Sequence, residues 1–466
     1  MMEKLRVPYR DGPPMSVADR KKWLLRLMEM LTKHEADLCE ALYRDLHKCK
    51  QEALMCDVLS VKSEISMILS NLEYWAAGET IPRTFVSLLD TCRVQPQPFG
   101  KVLILAPWNY PLFLLLIPLA GAIAAGNVVV CKPSELAPAT ERLLTLLLPK
   151  FLDETICHVF NGGAEDTQEL LNTTHFDFIF FTGSSNVGRM VMQAAAKNLT
   201  PVALELGGKC PVYLDESANL TVAAKRIMSG KILNAGQTCV APDYVLCHRR
   251  VLNAFVEECH AVLNKFLGED PKESPDYARI INEKNTERLA RLLKQTEGEK
   301  VIGGTFDIVE KFVAPTIVTN VQPEDVLMKD EIFGPILPIV TVDSCDDAIR
   351  FVTSMERPLA VYVFTKDKNQ YNSWSDLTSS GAIIFNECVL QMSVSNLPFG
   401  GVGNSGFGRY RGKANFDVFS NPRSYVDRSQ SEIANEKFRY PPYTDNTESW
   451  VRWLLKTRED SNCCIS

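Results

Sequence analysis

The feature that most restricts the fold is a long uncharged stretch over residues 102–131, which is flanked by two lysines. It is long enough to cross a bilayer, but prolines and glycines such as Pro111 and Gly126 interrupt it. A span broken in this way would need neighbouring spans to satisfy its backbone. The pattern instead predicts a buried strand, "KVLILA", a buried helix and a second buried strand, "VVVCK".

Further apolar strands alternate with helical segments on both sides of this unit. "CHVFNGG", "FDFIFFTGS" and "PVALELGG" follow it, and residues 17–75 show apolar residues at helical spacing. Such alternation predicts an α/β protein with an open, doubly wound parallel sheet. The pattern restarts after Gly208 with "CPVYLD", so a second α/β domain is expected there.

Composition excludes several classes of protein. The net charge of -7 argues against a nucleic-acid partner. The N-terminus has no apolar stretch of signal-peptide length, so the 14 cysteines are expected to be mostly reduced. They form no C-x-x-C pair and the six histidines do not cluster near them, so we expect no metal site and no disulfide framework.

Three segments contain candidate catalytic side chains. In "NAGQTCVAPDYV" small and polar residues precede Cys239, as a thiol that meets a substrate requires, although most free cysteines only pack. Glu205 ends an apolar strand before paired glycines, where burial would raise its pKa and suit it to act as a base. A carboxylate satisfied by backbone donors is the alternative. Asn109 in "PWNYP" could donate to an oxyanion or stabilise its own turn.

One strand-to-helix turn is a candidate phosphate site. "FFTGSSNVG" ends a strand and opens a helix whose free backbone N–H groups could bind a pyrophosphate. A serine-capped helix is the alternative. The turn residues are Gly183, Ser184, Val187 and Gly188.

Two further segments could contact a cofactor. Lys132 and Glu135 of "CKPSE" could bind ribose hydroxyls or a phosphate at the end of a strand, or form a solvated pair that caps a helix. Glu331 and Phe333 of "EIFGPILPI" could lie beside a cofactor ring or pack in the core. The G-x-G-x-x-G pattern in "FGGVGNSGFG" lacks a preceding strand and a following helix, so we interpret it as a loop.

Together, in this order, the motifs resemble those of the NAD(P)-dependent aldehyde dehydrogenase superfamily. The likeness is greatest to the class 3 enzymes for fatty and aromatic aldehydes, including their lipid-anchored B-type members, and it extends over residues 15–430. It implies a Rossmann-like cofactor domain, a second α/β catalytic domain and a small oligomerisation arm. The implied ranges are 1–80 and 100–206 for the NAD(P)-binding domain, 207–410 for the catalytic domain, 81–99 and 411–430 for the arm, and 431–466 for a tail.

The resemblance also implies roles for the candidate residues. Cys239 would attack the aldehyde as a thiolate, Asn109 and the Cys239 backbone N–H would hold the thiohemiacetal oxyanion, and hydride transfer would leave a thioester. Glu205 would activate the water that hydrolyses it to a carboxylic acid. The cofactor would be NAD or NADP and the enzyme a homodimer. The implied cofactor contacts are Lys132, Glu135, Gly183, Ser184, Val187, Gly188, Glu331 and Phe333.

Two positions depart from the pattern of the resembled enzymes. Cys210 in "LGGKCP" stands where Asn or another small polar residue is usual, so a second thiol lies near the site and oxidative pairing with Cys239 is conceivable. Gln391 stands where class 3 enzymes usually carry His on the substrate side, which affects the expected preference for chain length.

The C-terminus "EDSNCCIS" fits the C-a-a-X pattern for prenylation at Cys463, although Cys464 occupies an aliphatic position. "WVRWLLKTR" upstream suits a short interfacial helix, and this helix or a palmitoyl group would supply the second membrane signal, with Cys463 and Cys464 as the candidate lipidation sites. We therefore expect an enzyme on the cytosolic face of a membrane (plasma membrane, endoplasmic reticulum or lipid droplet), and otherwise a cytoplasmic one.

Two other functions are consistent with such a chain. A coenzyme-A-acylating dehydrogenase would resolve the thioester with a thiol, but the presence of Glu205 argues against it. A non-enzymatic scaffold would not need Cys239, Glu205 and Asn109 together. Between the two cofactors, Glu135 would disfavour a 2′-phosphate by like charge while Lys132 would favour it.

Overall fold

The computed structural model describes residues 4–84, 87, 89–430 and 439–454. By their internal contacts, residues 1–72 and 98–419 form one unit, and residues 73–97 and 420–466 form another.

The α-helices are α1 (Val17–Lys33), α2 (Glu35–Leu46), α3 (Lys50–Ala53), α4 (Leu59–Ala77), α5 (Phe113–Ala125), α6 (Pro138–Phe151), α7 (Ala164–Thr173), α8 (Ser185–Ala196), α9 (Leu220–Ile232), α10 (Leu252–Leu267), α11 (Glu283–Gln295), α12 (Val326–Lys329), α13 (Cys345–Ser354), α14 (Lys368–Leu377), α15 (Lys413–Asp417) and α16 (Asp445–Leu454). The strands are β1 (Glu79–Thr80), β2 (Thr91–Pro98), β3 (Lys101–Leu105), β4 (Val128–Lys132), β5 (Cys157–Val159), β6 (Phe178–Thr182), β7 (Val202–Glu205), β8 (Pro211–Leu214), β9 (Tyr244–His248), β10 (Glu299–Ile302), β11 (Phe306–Asp307), β12 (Phe312–Val313), β13 (Thr316–Thr319), β14 (Ile336–Val342), β15 (Ala360–Phe364), β16 (Ala382–Phe385), β17 (Gly406–Phe407) and β18 (Ser420–Asp427).

The uncharged stretch folds as predicted into the strand–helix–strand unit β3-α5-β4. Every residue of α5 is buried, as is every residue of β4. The helix ends at Gly126, whose φ of 95° lies in the left-handed region that glycine adopts without strain. Among the described residues, no helix combines the length and the apolarity needed to cross a bilayer.

The first sheet contains six strands in the order β17-β7-β6-β3-β4-β5, and all but β17 run parallel. The chain leaves β3 first to one side, toward β4 and β5, and later returns to its other side with β6 and β7. The carboxyl ends of β3 and β6 therefore form a topological switch point, where open α/β sheets bind ligands. The Asn109 turn follows β3 and the Gly183 turn follows β6.

A second sheet of the same unit has seven strands in the order β10-β13-β14-β9-β8-β15-β16. Only β10 runs antiparallel to its neighbour. The cysteine loop lies between α9 and the amino end of β9, and the Glu331 segment leads into β14. The α/β fold with a parallel cofactor-type sheet and a second α/β sheet agrees with the predicted fold class.

The second unit contains the three-stranded sheet β1-β2-β18. β18 is an edge strand of eight residues, most of which are exposed. The helix α16 carries the exposed rings of Trp450 and Trp453, whose centroids are 5.7 Å apart. The predicted lipidation sites, Cys463 and Cys464, lie outside the described residues.

Candidate active site

A cavity of about 1770 Å³ opens at the switch point and brings the three predicted catalytic side chains together. Asn109, Glu205 and Cys239 all line it, although they are far apart in sequence. Of the predicted cofactor contacts, Gly183, Ser184, Glu331 and Phe333 also line it. Lys132, Glu135, Val187 and Gly188 lie outside this lining.

The loop before Cys239 needs small residues because its backbone takes an unusual path. Asn234, Ala235 and Gly236 all have positive φ, at 52°, 51° and 74°. A Cβ at Gly236 would collide with the Gly334 backbone carbonyl, so only glycine fits there. The buried amide of Gln237 then secures the turn, since its Nε2 donates to the Asn234 carbonyl at 2.9 Å. The loop thus holds Cys239 in a fixed backbone that opens on the cavity.

The thiol of Cys239 is partly exposed and lines this cavity. Burial raises its pKa above the usual value, and the nearby carboxyls of Glu331 and Glu205 raise it further. The backbone N–H groups of Cys239 and Val240 oppose this shift. A thiolate nucleophile therefore requires a base that removes the proton when the substrate is in place.

Glu205, the predicted base, lines the same cavity as Cys239. It ends β7, is buried, and both of its carboxylate oxygens lack hydrogen-bond partners among the described residues. Burial raises its pKa well above the usual value, whereas the Arg409 guanidinium lowers it. The alternative of a carboxylate satisfied by backbone donors is therefore wrong. An unsatisfied buried carboxyl with a raised pKa suits proton transfer near neutral pH.

Asn109 is buried and held by a polar network that the sequence did not reveal. Its Nδ2 donates to the Gln237 carbonyl at 3.0 Å, which leaves the second amide hydrogen for a ligand. Its own backbone carbonyl accepts from Lys48 Nζ at 2.9 Å and from Asn234 Nδ2 at 2.8 Å. Lys48 in turn pairs with Asp57 at 2.9 Å, with both side chains fully buried.

The buried charged residues behind Asn109 belong to the N-terminal helical region. A π-helix over Leu54–Val58 follows α3 and separates Glu52 from Asp57 by one wide turn. Glu52 Oε1 accepts the Asn234 N–H at 2.9 Å, and Asp57 Oδ1 accepts the Phe113 N–H at 3.2 Å. The apolar spacing of this region indicates helices but does not show which charged residues turn inward, so the sequence offered no signal for these side chains.

The part of the cavity beside α8 is where the sequence predicts the dinucleotide. Ser184 caps this helix, its Oγ accepting the Val187 N–H at 3.5 Å, so the serine-capped helix is present. The remaining N–H groups of the first turn lie beside Gly183 and Ser184, which line the cavity, and free N–H groups at a helix start are the kind of donors that a pyrophosphate requires. A Cβ at Gly188 would lie 2.7 Å from Leu206 Cδ2, so this glycine lets α8 approach the end of β7.

The predicted ribose contacts form an ion pair with each other. Lys132 is buried and Glu135 is half-exposed, and Lys132 Nζ bonds Glu135 Oε2. Both follow the carboxyl end of β4, beside the switch point. The alternative was that this pair caps a helix. At the start of α6 the Asp45 carboxylate does so instead, because it accepts the N–H groups of Ala139 and Thr140 at 2.9 and 2.8 Å.

Glu331 and Phe333 face the cavity. A Cβ at Gly207 would collide with Glu331 Oε2, so this glycine makes room for the carboxyl. Burial raises the pKa of Glu331 to about 8, the Asp243 carboxylate adds to this, and the Gly208 backbone N–H opposes it. The Phe333 ring is half-buried and meets the Trp108 ring edge to face at 5.3 Å.

The two unusual residues lie on either side of the nucleophile loop. Cys210 is fully buried, and its Sγ donates to the Cys239 carbonyl at 3.4 Å. Gln391 Nε2 donates to the Tyr362 hydroxyl at 3.0 Å, and this hydroxyl donates to the Val240 carbonyl at 2.6 Å. Gln391 therefore connects the loop over residues 389–393 to the residue that follows the nucleophile.

The chain belongs to the aldehyde dehydrogenase family, whose pattern it matches over residues 10–425. It is 44% identical to aldehyde dehydrogenase family 3 member B1 of Rattus norvegicus over 463 residues, which cover 99% of this chain and 97% of the relative. It is 43% identical to the "dimeric NADP-preferring" aldehyde dehydrogenase of Canis lupus familiaris over 443 residues, or 95% and 97% of the two chains. The substrate-bound structure of Staphylococcus aureus AldH is similar, with a TM-score of 0.92, 40% identity and 95% coverage of both chains.

These findings confirm the resemblance to class 3 enzymes. The protein is an NAD(P)-dependent aldehyde dehydrogenase that oxidises an aldehyde with NAD or NADP as its cofactor. The scaffold alternative is thereby wrong.

Proposed function

We propose that this enzyme oxidises medium- to long-chain aliphatic and aromatic aldehydes to carboxylic acids at a membrane surface. The observation that carries the proposal is one cavity that holds Cys239, Glu205 and Asn109 beside a large apolar lining. Apolar side chains in this lining include Met55, Phe113, Leu114, Leu233, Leu390 and Met392. An alkyl chain or aromatic ring would bury apolar surface against them at roughly 25 cal/mol per Å².

The proposed reaction begins at the protonated thiol. Glu205 takes the proton of Cys239, whose sulfur forms a bond to the aldehyde carbon. The carbonyl oxygen becomes an oxyanion that accepts from the free Asn109 amide hydrogen and the Cys239 backbone N–H. The α8 turn, Lys132, Glu135, Glu331 and Phe333 would hold NAD or NADP, which would supply the hydride acceptor. The resulting thioester is cleaved by water, from which Glu205 removes a proton.

A kinetic panel tests substrate class and cofactor together. Saturated aldehydes of increasing chain length and a benzaldehyde series are assayed with NAD and with NADP, and the acid product is quantified. We expect kcat/KM to rise with chain length, because burying each added methylene contributes about 0.8 kcal/mol of favourable free energy. A flat or falling series overturns the substrate proposal, and an absolute requirement for coenzyme A would favour an acylating enzyme instead.

Two variants test the catalytic assignments. Cys239→Ala should abolish aldehyde oxidation while cofactor binding persists. Glu205→Gln should slow both the first burst of reduced cofactor and the steady-state rate, because the same carboxylate serves acylation and deacylation. Full turnover by either variant would refute its proposed role.

We propose a lipid anchor at Cys463 for the membrane location. The support is the sequence of the C-terminus together with the exposed Trp450 and Trp453 rings of α16, since aromatic side chains favour the membrane interface. A Cys463→Ser variant should move from the membrane to the cytosolic fraction. If it partitions like the parent protein, the anchor proposal fails.

We also propose a homodimer that pairs through the second unit. The support is the long exposed edge strand β18, which can add strands from another chain, and the name of the dimeric canine relative. Analytical ultracentrifugation should show twice the mass of the chain at micromolar concentration. A monomer at those concentrations rejects this assembly.

A further inference from the structure

The glycine-rich segment that resembles a cofactor fingerprint lies against the base instead. β17 runs antiparallel to the end of β7, and Gly406 pairs with Glu205. A few residues on, Phe399 and Tyr410 exchange backbone hydrogen bonds of 2.8 and 2.9 Å. The segment therefore brings Tyr410 into the lining of the same cavity as Glu205 and Cys239.

The ring of Tyr410 is held firmly, whereas its hydroxyl is not satisfied. The Phe180 and Phe399 rings lie 5.4 and 5.6 Å from it in edge-to-face contacts. Tyr410 is fully buried, and its hydroxyl has no hydrogen-bond partner in the described part of the chain. Buried hydroxyls nearly always have a partner, so an orphaned one inside an active-site cavity indicates a role with the reacting groups.

The groups that face Glu205 restrict what this role can be. Tyr410 interacts electrostatically with both Glu205 and Cys239. Arg409 donates to the Gly401 and Gly408 carbonyls at 2.6 and 3.3 Å, and it faces Glu205 across the space that a Cβ at Gly400 would fill. Beyond Tyr410 lies the buried Arg411–Glu64 ion pair. The neighbouring strand places Thr182 beside Glu205, and its buried hydroxyl also lacks a partner among the described residues.

One hydrogen bond from the Tyr410 hydroxyl to the Glu205 carboxylate would satisfy both unpaired groups. The Glu205 carboxylate offers acceptors without donors, and Tyr410 offers a donor without an acceptor. A hydrogen bond to a charged group is stronger than one between neutral groups, so this bond forms best when Glu205 is ionised. The rigid ring would then fix the direction of a carboxylate that nothing else on β7 holds.

We propose that Tyr410 is a positioning residue for the base: the two groups are not hydrogen-bonded in this structure, and on ionisation the Glu205 carboxylate turns to accept from the Tyr410 hydroxyl, which orients it toward the hydrolytic water. This inference rests on the proposed role of Glu205. The bond favours the ionised form, so it keeps Glu205 able to accept a proton at a lower pH than burial alone would allow. The step it assists is deacylation, in which the water oxygen bonds to the thioester carbon, the carbon–sulfur bond breaks and the water proton passes to Glu205.

The test is Tyr410→Phe, which removes only the hydroxyl and keeps the ring between Phe180 and Phe399. We expect a normal burst of reduced cofactor, then a steady-state rate lowered on the order of tenfold or more, as loss of a bond to a charged group implies. Acyl-enzyme should accumulate, as measured by intact-protein mass spectrometry. The acidic limb of the pH profile should move to higher pH.

Two controls and one rescue separate this role from a structural one. Tyr213→Phe removes another buried tyrosine hydroxyl, which lies outside the cavity lining and donates to Asp215 Oδ1 over 2.9 Å. This variant should leave the rate and the pH profile unchanged. Hydroxylamine cleaves thioesters without a base and should restore turnover to Tyr410→Phe. Parent-like acyl-enzyme levels and pH profile in Tyr410→Phe, or the full defect in Thr182→Val instead, overturn the inference. If Glu205→Gln also keeps full turnover, the proposed function of Glu205 fails as well.

Discussion

Replacing Lys48 by methionine tests how the buried ion pair supports the oxyanion site. Methionine keeps the length and apolar contacts of the side chain but removes its charge and its donors. Asn109 loses one of the two donors to its carbonyl, and Asp57 loses its ammonium partner at 2.9 Å. The Phe113 N–H at 3.2 Å then remains as the donor to Asp57 among the described residues.

The expected loss of stability is large because both side chains are fully buried. Removing one partner of a buried pair leaves an uncompensated charge and costs about 3–5 kcal/mol. The double variant Lys48→Met with Asp57→Asn removes that charge, and its amide oxygen can still accept the Phe113 N–H. We therefore expect the double variant to recover at least half of the loss, which would show coupling between the two sites.

Urea denaturation followed by tryptophan fluorescence measures this cycle, and kcat/KM for one aldehyde measures its effect on catalysis. Asn109 keeps the Asn234 Nδ2 donor at 2.8 Å, so the fall in kcat/KM should be on the order of tenfold, equivalent to about 1.4 kcal/mol. The reasoning is refuted if Lys48→Met lowers the free energy of unfolding by less than about 1 kcal/mol. It is also refuted if the double variant is no more stable than the single one.

Three further predictions concern other parts of the site. Burial raises the pKa of Glu52 from 4.5 to about 7, so the folded state binds this proton more tightly than the unfolded state does. The free energy of unfolding should therefore fall as pH rises through this range. Glu52→Gln should flatten that dependence when urea denaturation is measured at several pH values. Gly207→Ala should raise the cofactor Kd by at least tenfold in fluorescence titration, since its Cβ would displace Glu331, while an unchanged Kd would contradict the placement. Gln391→Ala breaks the bond to the Tyr362 hydroxyl and should raise KM for long aldehydes severalfold with little change for acetaldehyde; equal effects on both would argue against a role in chain-length preference.

The sequence was most informative where local chemistry decides structure. The uncharged run between two lysines could only become buried strands and a buried helix, and β3-α5-β4 followed. Glu205 ends β7, and Asn109 and Gly183 lie in the turns that follow β3 and β6 of the same parallel sheet, so their proximity followed from topology. The small residues before Cys239 reflected a backbone with positive φ at three successive positions.

The polar side chains behind the site could not be predicted in this way. Lys48 and Asp57 belong to a region whose apolar spacing predicts helices, but spacing does not show that a charged residue turns inward. The π-helix over Leu54–Val58 shifts the helix register and brings Asp57 to the Asn109 turn. Tyr410 follows a glycine pattern that suggested only a flexible loop, and its pairing with the β7 edge depends on contacts between distant segments.

In the proposed mechanism Glu205 must act as a base twice, and its surroundings must allow both steps. It first takes the proton of Cys239, whose pKa burial and the neighbouring carboxyls raise. It must then lose that proton before it can accept another from water. Burial alone opposes this loss, because it raises the pKa of Glu205 as well. The Arg409 guanidinium favours the ionised carboxylate, the proposed Tyr410 hydrogen bond would favour it further, and both residues lie on the segment that pairs with β7. In the proposed mechanism this segment helps Glu205 to lose the Cys239 proton after acylation, before it accepts a proton from water. Variants of Tyr410 should therefore slow deacylation and spare acylation.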